Sequence, residues 1–124
     1  MKRISFLILV FLFVISCGEK PATQNSNTAV SFDDEAKRGK ELYESNGCAG
    51  CHGITGKGEG NENLVPKPRN FRSLSSYKQG SSPDEIAKTL ETGIPNSIMS
   101  PYPHLPEADR KAIARYIVYL QTQP

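Results

Sequence analysis

The sequence predicts an all-α domain in which three main helices are joined by long irregular loops. Three segments carry helix caps or apolar residues at helical spacing. The long segment 53–81, between the first two helices, shows neither strand alternation nor a helical period. Because the helices offer few large apolar side chains, we expect a disulfide, a metal or a cofactor to complete the core.

The first helix is predicted from about Asp33 to Asn46. Acidic residues stand at its start, where they favour the helix dipole, and Gly47 is placed to cap its end. One stripe is predicted to be buried, and it consists of Phe32, Ala36, Gly39 and Tyr43.

The other two helices are predicted from a capping box and from an apolar period. Ser82 and Glu85 frame Pro83 in the pattern of a capping box with proline at the first helical position, and Gly93 closes this helix. The third helix starts near Pro106. The apolar residues expected inside these helices are Ile86 and Leu90 in the second and Ile113, Tyr116, Ile117 and Leu120 in the third.

A charged start and an apolar run precede this domain. The run extends from Ile4 to Ile15, which is too short to span a bilayer comfortably, and it stops at Ser16 and Cys17. The pattern predicts a secretory signal peptide over residues 1–16 and an extracytoplasmic protein.

The end of this run, VISC, resembles the lipobox of bacterial lipoproteins, in which the signal is cut before a cysteine that then carries lipid. The alternatives are an ordinary signal peptide with a chance cysteine, or an uncleaved anchor. The resemblance implies a lipidated Cys17 that anchors the protein on the periplasmic side of a membrane. Residues 17–32 are then the lipidated cysteine and a flexible polar tether, and residues 33–124 are the folded domain.

The charge balance excludes a strong general attraction to polyanions. The whole chain has a formal net charge of +2, and two of its basic residues leave with the signal, so 13 basic and 13 acidic residues remain. We therefore expect no nucleic-acid partner.

Residues 48–52, CAGCH, carry the strongest chemical signal. Cys48, Cys51 and His52 stand at i, i+3 and i+4, so on one helical turn their side chains project from the same face. C-x-x-C-H is the attachment signature of c-type haem, in which two thiols form thioethers and the imidazole ligates iron. The sequence therefore predicts one haem c, bound through Cys48 and Cys51, with His52 as the proximal iron ligand.

Two other kinds of site fit these residues less well than haem attachment does. Zinc bound by Cys48, Cys51, His52 and His104 is disfavoured, because the neighbours Cys51 and His52 do not readily occupy two corners of one tetrahedron. A thiol–disulfide redox pair needs the motif at the start of a helix after a buried strand, whereas this motif follows a helix.

The second axial ligand is expected from one of two residues. Met99 is the only methionine apart from the initiator, and His104 is the only histidine besides His52. Met99 lies in a proline-punctuated loop between the second and third helices, which favours it, while His104 remains the alternative.

The chain resembles the class I cytochromes c over residues 33–124. The resemblance is carried by Gly39 and Tyr43, GCAGCHGITGKGEG, Met99, and KAIARYIVYL. It implies the cytochrome c fold, wrapped around one haem with His52 and Met99 as axial ligands. It also implies that the first and last helices cross, through Gly39 and Tyr43 against Ile113 and Tyr116. One departure is Ser100, which follows the methionine where many members have proline.

The segment VPKPRNF resembles the family loop that lines the haem and offers a carbonyl to the proximal imidazole. Pro66 and Pro68 both fit this place, as haem-pocket contacts. Three nearby cations, Arg69, Arg72 and Lys78, are candidates for neutralising haem propionates or for contacting an acidic partner.

This ligation predicts an electron carrier rather than an enzyme. With both axial positions filled by protein, substrate has no coordination site, and the iron cycles between ferric and ferrous. The expected partners are redox proteins such as an oxidase, a reductase or a peroxidase. The alternative is a haem-based sensor with a labile sixth ligand, and a thiol oxidoreductase is a more distant one.

Overall fold

A computed structural model describes residues 32–124. These residues form four α-helices and one turn of 3-10 helix, Leu74–Ser76. The helices are α1 (Asp34–Ser45), α2 (Cys48–His52), α3 (Pro83–Thr92) and α4 (Glu107–Gln121). Residues 32–124 contain no strand, so the all-α prediction is confirmed. The predicted signal peptide, Cys17 and the tether as far as residue 31 lie outside the described residues.

The helix ends follow the capping residues of the sequence. Asp33 caps α1 by accepting a hydrogen bond from the Ala36 amide at 2.8 Å. At α3, Ser82 and Glu85 form the predicted capping box, and Gly93 ends the helix. The prediction that Phe32 belongs to the buried stripe of α1 is wrong. Phe32 precedes the helix and is 44% exposed, and its ring packs against that of Tyr119.

The crossing of α1 and α4 depends on a glycine. Gly39 packs directly on the backbone carbonyl of Ala112 and lies beside Tyr116, so a side chain at this position would collide with α4. Next to this contact, the rings of Tyr43 and Tyr116 meet edge to face with centroids 5.4 Å apart. The two longest helices therefore approach at Gly39, Tyr43 and Tyr116, three of the four residues that the family resemblance implies.

The core lies where α1 and α3 pack on α4. The predicted apolar faces of α3 and α4 are buried, as are Ala36, Gly39 and Tyr43 of α1. Two loops outside this core flank a cavity. Residues 53–82 follow α2, and residues 93–106 connect α3 to α4.

None of the helices formed by residues 32–124 is long and apolar enough to cross a membrane.

Candidate functional site

The predicted site residues of the described domain come together at one cavity of about 480 Å³. Its surface is mostly apolar. The predicted residues that line it are Cys48, Cys51, His52, Pro66, Pro68 and Met99. His104 does not line it, and the ring of His104 instead lies 5.8 Å from that of Tyr102.

A smaller apolar cavity of about 50 Å³ adjoins the first one. The two share Cys48, His52 and Met99. Ile86, Leu90 and Ile117 of the core also line the smaller cavity. The site therefore adjoins the apolar core between the helices.

The attachment motif forms a short helix joined almost without a break to α1. Gly47 adopts the left-handed conformation, with φ at 78°, and turns the chain from the end of α1 into α2. The hydroxyl of Tyr43 donates to the carbonyl of Gly53 at 2.7 Å, so the far end of α2 is bonded back to α1. These contacts hold the motif against the helical core.

The two cysteines differ in exposure and are not joined by a disulfide. Cys48 is buried and Cys51 is exposed. Burial raises the pKa of the Cys48 thiol to about 11. A thiol of this kind carries little thiolate at neutral pH, which is unlike the attacking thiol of a redox pair.

Packing fixes the plane of the His52 imidazole. The ring of Phe71 stacks on it, with centroids 4.7 Å apart and planes inclined by 23°. Burial lowers the pKa of His52, while the nearby backbone of Arg69 acts in the opposite direction. Buried imidazole is therefore held in the neutral form, which is the form that ligates metals.

The Nδ1 atom of His52 is buried and makes no hydrogen bond of normal geometry to residues 32–124. Pro66 and Pro68 line the cavity beside this histidine. The carbonyl contact that the sequence resemblance assigns to one of them stays a prediction.

The loop after α2 is closed around the carboxylate of Glu59. This carboxylate accepts hydrogen bonds from the Thr55 amide at 2.8 Å, the Thr55 hydroxyl at 2.6 Å and the Lys57 amide at 2.7 Å. Desolvation raises the pKa of Glu59, but hydrogen bonds from Thr55 and from backbone amides outweigh it and lower the pKa to about 2. The Gly58 amide then donates to the His52 carbonyl at 2.8 Å, which ties this loop to the histidine.

Met99 lies in the loop 93–106, which connects α3 to α4, and is half-buried. The amide of Ile94 donates to the carbonyl of Met99 at 3.1 Å, so the segment between them forms a closed loop. Ile94, Ser97 and Tyr102 of the same region line the cavity with Met99.

Among the three cations considered from the sequence, only Arg69 lines the cavities. Its guanidinium donates to the Ser76 carbonyl at 2.8 Å and lies 4.9 Å from the centre of the Tyr77 ring. The guanidinium of Arg72 instead donates to backbone carbonyls that include those of Thr55 and Gln123. Lys78 is exposed and does not line either cavity.

The donor set fits a c-type haem. Two thiols, a buried imidazole and a thioether sulfur line one largely apolar cavity, as such a group requires. Zinc finds no support, because no three His, Cys, Asp or Glu side chains within residues 32–124 are grouped to hold a metal ion.

Sequence reasoning missed the residues that support this donor set. Phe71 and Glu59 lie in the segment without periodicity, and Ser97 is an unremarkable serine in a proline-rich loop. Phe71 is the last residue of VPKPRNF, which resembles the family loop that lines the haem, and this is the signal that pointed toward it.

Comparisons with known proteins agree with the geometry. The family model described as Cytochrome c matches residues 36–121. A solved structure, the reducing HAO-like protein complex Kustc0457/Kustc0458 of Kuenenia stuttgartiensis, is similar with 34% sequence identity and a TM-score of 0.57. The match covers 65% of this chain but only 40% of that chain, so this protein spans less than half of its structural relative. No curated protein sequence matches the chain.

Proposed function

The chain belongs to the cytochrome c family, and from this premise we propose that it carries single electrons between redox proteins through one haem c. The observation that carries the proposal is the convergence of Cys48, Cys51, His52 and Met99 on one cavity. When bound, the haem supplies an iron that cycles between the ferric and ferrous states.

Each residue of the donor set has a separate role in this proposal. Cys48 and Cys51 form the thioether bonds, and the neutral imidazole of His52 is the proximal ligand. The sulfur of Met99 is the distal ligand and, as a soft donor, favours ferrous iron. With His52 and Met99 both held as ligands, a bound haem would offer no position to a substrate, and the protein would act as a carrier rather than as an enzyme.

Redox proteins are the proposed partners. The solved relative is itself a protein complex. A transient and small docking surface suits a carrier that must release each partner after transfer. Stopped-flow measurement of electron transfer with an oxidase, a reductase and a peroxidase would identify the class of partner.

The proposed location is the periplasmic side of a membrane, with the domain anchored through a lipidated Cys17. The support is the sequence pattern of a basic start, an apolar run and VISC. The polar segment that follows is long enough to keep the domain close to the membrane without fixing its orientation.

The distal ligand provides the test of the carrier proposal. Methionine-ligated ferric haem of this family shows a weak far-red charge-transfer band, so Met99→Ala should abolish the band and let the ferrous protein bind carbon monoxide. His104→Ala is the control and should leave the band unchanged, since His104 lies off the cavity. Carbon monoxide binding by the untreated ferrous protein would instead favour a sensor, and a band that depends on His104 would contradict the assignment of Met99.

The anchor is tested separately by metabolic labelling with palmitate. Wild-type protein should be labelled and should sediment with membranes, because lipoproteins of this kind carry more than one acyl chain. Cys17→Ser should lose both properties. Labelling of the variant at the wild-type level would show that the lipobox interpretation is wrong.

A further inference from the structure

The loop that carries Met99 is held together by one serine. The hydroxyl of Ser97 donates to the carbonyl of Ile94 at 2.8 Å and accepts from the amide of Met99 at 3.1 Å. The amide of Ile94 also donates to the carbonyl of Met99, so the two ends of the loop 94–99 are bonded to each other and both are bonded to the Ser97 side chain between them. Ser97 is therefore the side chain that bonds directly to the backbone of Met99.

Other constraints on this loop are weak. Asn96 adopts a left-handed conformation, with φ at 57°, which non-glycine residues adopt at a cost. Ile98 is 55% exposed and contributes little burial. Ser100 follows Met99, so the ring of Pro101 restricts the backbone of Ser100 and not that of the methionine. Hydrogen bonding through Ser97 thus holds a left-handed turn that has little burial and no proline next to Met99.

Loss of the Ser97 hydroxyl should favour an open loop, in which Met99 has moved away from the cavity, over the closed loop seen here. Without the hydroxyl, the Ile94 carbonyl and the Met99 amide lose a partner inside a partly buried loop. A competing ligand binds only when the methionine has moved away, so its apparent affinity follows the open fraction of the loop.

We propose that Ser97 is a positioning residue for Met99 and sets how readily an external ligand displaces the methionine. The inference rests on the proposed function, because it takes Met99 as the distal ligand. By holding Met99 in place, Ser97 keeps external ligands out, as an electron carrier requires. A loop that opened readily would instead suit a ligand-binding protein.

The test is a titration of the full-length ferric holoprotein with imidazole, followed by the decay of the far-red band. Ser97→Ala should lower the half-saturating imidazole concentration about three- to tenfold, as expected for the loss of one to two hydrogen bonds. Ser97→Thr, which keeps the hydroxyl, should stay near wild type. Ser97→Val has the shape of threonine without its hydroxyl and should behave as the alanine variant does.

Two controls separate positioning from general stability. Ser75→Ala removes an exposed hydroxyl that lines neither cavity and makes no hydrogen bond within residues 32–124, so it should not change the titration. Guanidinium unfolding of each holoprotein reports the global free energy of unfolding.

The results distinguish failure of this inference from failure of the carrier proposal. If the band is present but Ser97→Ala and Ser97→Val titrate as the wild type does, Ser97 has no positioning role while Met99 remains the ligand. The same holds if these variants lower only the free energy of unfolding. If the wild-type band is absent, Met99 is not the ligand, and both the ligand assignment and the role of Ser97 are wrong.

Discussion

The two sides of the cavity are built in different ways. His52 belongs to a helix, stacks on Phe71 and is bonded through its carbonyl to the loop that Glu59 closes. Met99 lies in a loop held by bonds among its own residues, next to the exposed Ile98. The histidine side is thus fixed by tertiary packing, whereas the methionine side is fixed by local hydrogen bonds. We therefore expect cofactor retention to depend on the first side and ligand exchange on the second.

Removing both attachment cysteines should have the largest effect on the histidine side. In Cys48→Ala/Cys51→Ala, haem should become extractable into acidified organic solvent, because no thioether bond retains it. The domain should also lose most of its helical circular dichroism, since the cavity beside the core is then no longer filled. A double variant that is haem-free and well folded would show that the cofactor is not part of the core.

Gly39→Ala should disturb both sides of the cavity equally, since it acts on the scaffold beneath them. The added methyl group collides with the Ala112 carbonyl, and we expect a loss of about 3 kcal/mol in the free energy of unfolding. Lys37→Ala, on the exposed face of α1, is the control and should change that free energy by less than about 0.5 kcal/mol. Guanidinium unfolding measures both. A stable Gly39→Ala variant would mean that α1 and α4 do not cross at this glycine.

Phe71→Leu should weaken the histidine side alone. Loss of the stacked ring should cost about 1–2 kcal/mol of unfolding free energy, because a buried aromatic contact is replaced by a smaller side chain. The far-red band and the imidazole titration should stay near wild type, since Met99 is untouched. An imidazole affinity that rises as much as in Ser97→Ala would remove the distinction between the two sides.

Glu59→Gln should have the smallest effect, and one that depends on pH. The pKa of Glu59 is lowered from its ordinary value of 4.5 to about 2 in the folded protein, so the ionised carboxylate stabilises the fold above the ordinary value. This contribution is lost as the pH falls toward 2. The difference in unfolding free energy between wild type and Glu59→Gln should therefore be larger at pH 7 than at pH 3, as measured by guanidinium unfolding.

Glu62→Gln is the matched control for this measurement. Glu62 stands on the same loop, but its carboxylate makes no hydrogen bond or ion pair within residues 32–124. This variant should leave the free energy of unfolding at pH 7 nearly unchanged. If Glu59→Gln also has no effect at pH 7, the hydrogen bonds around Glu59 do not stabilise the loop.

Spacing along the chain was enough to predict the helices and the attachment motif. Asp33 and Ser82 cap their helices by bonds to residues three positions away, and CAGCH acts within one helical turn. Such interactions depend on neighbours along the chain, so spacing alone reveals them. Met99 stood out because the chain offers few other ligands.

The residues that support the site are recognised from tertiary contacts. These contacts join residues from separate segments of the chain. Phe71 stacks on His52, and Gly39 contacts Ala112. Arg69 lines the cavity, whereas Arg72 bonds to backbone carbonyls elsewhere. A loop without periodicity carries no pattern that specifies its distant contacts, because those contacts form only after the helices have packed. Ser97 lies close to Met99 in the chain, and Asn96 is a residue type that favours a left-handed turn, yet the hydrogen bonds between Ser97 and the backbone of Ile94 and Met99 are seen only in the folded loop.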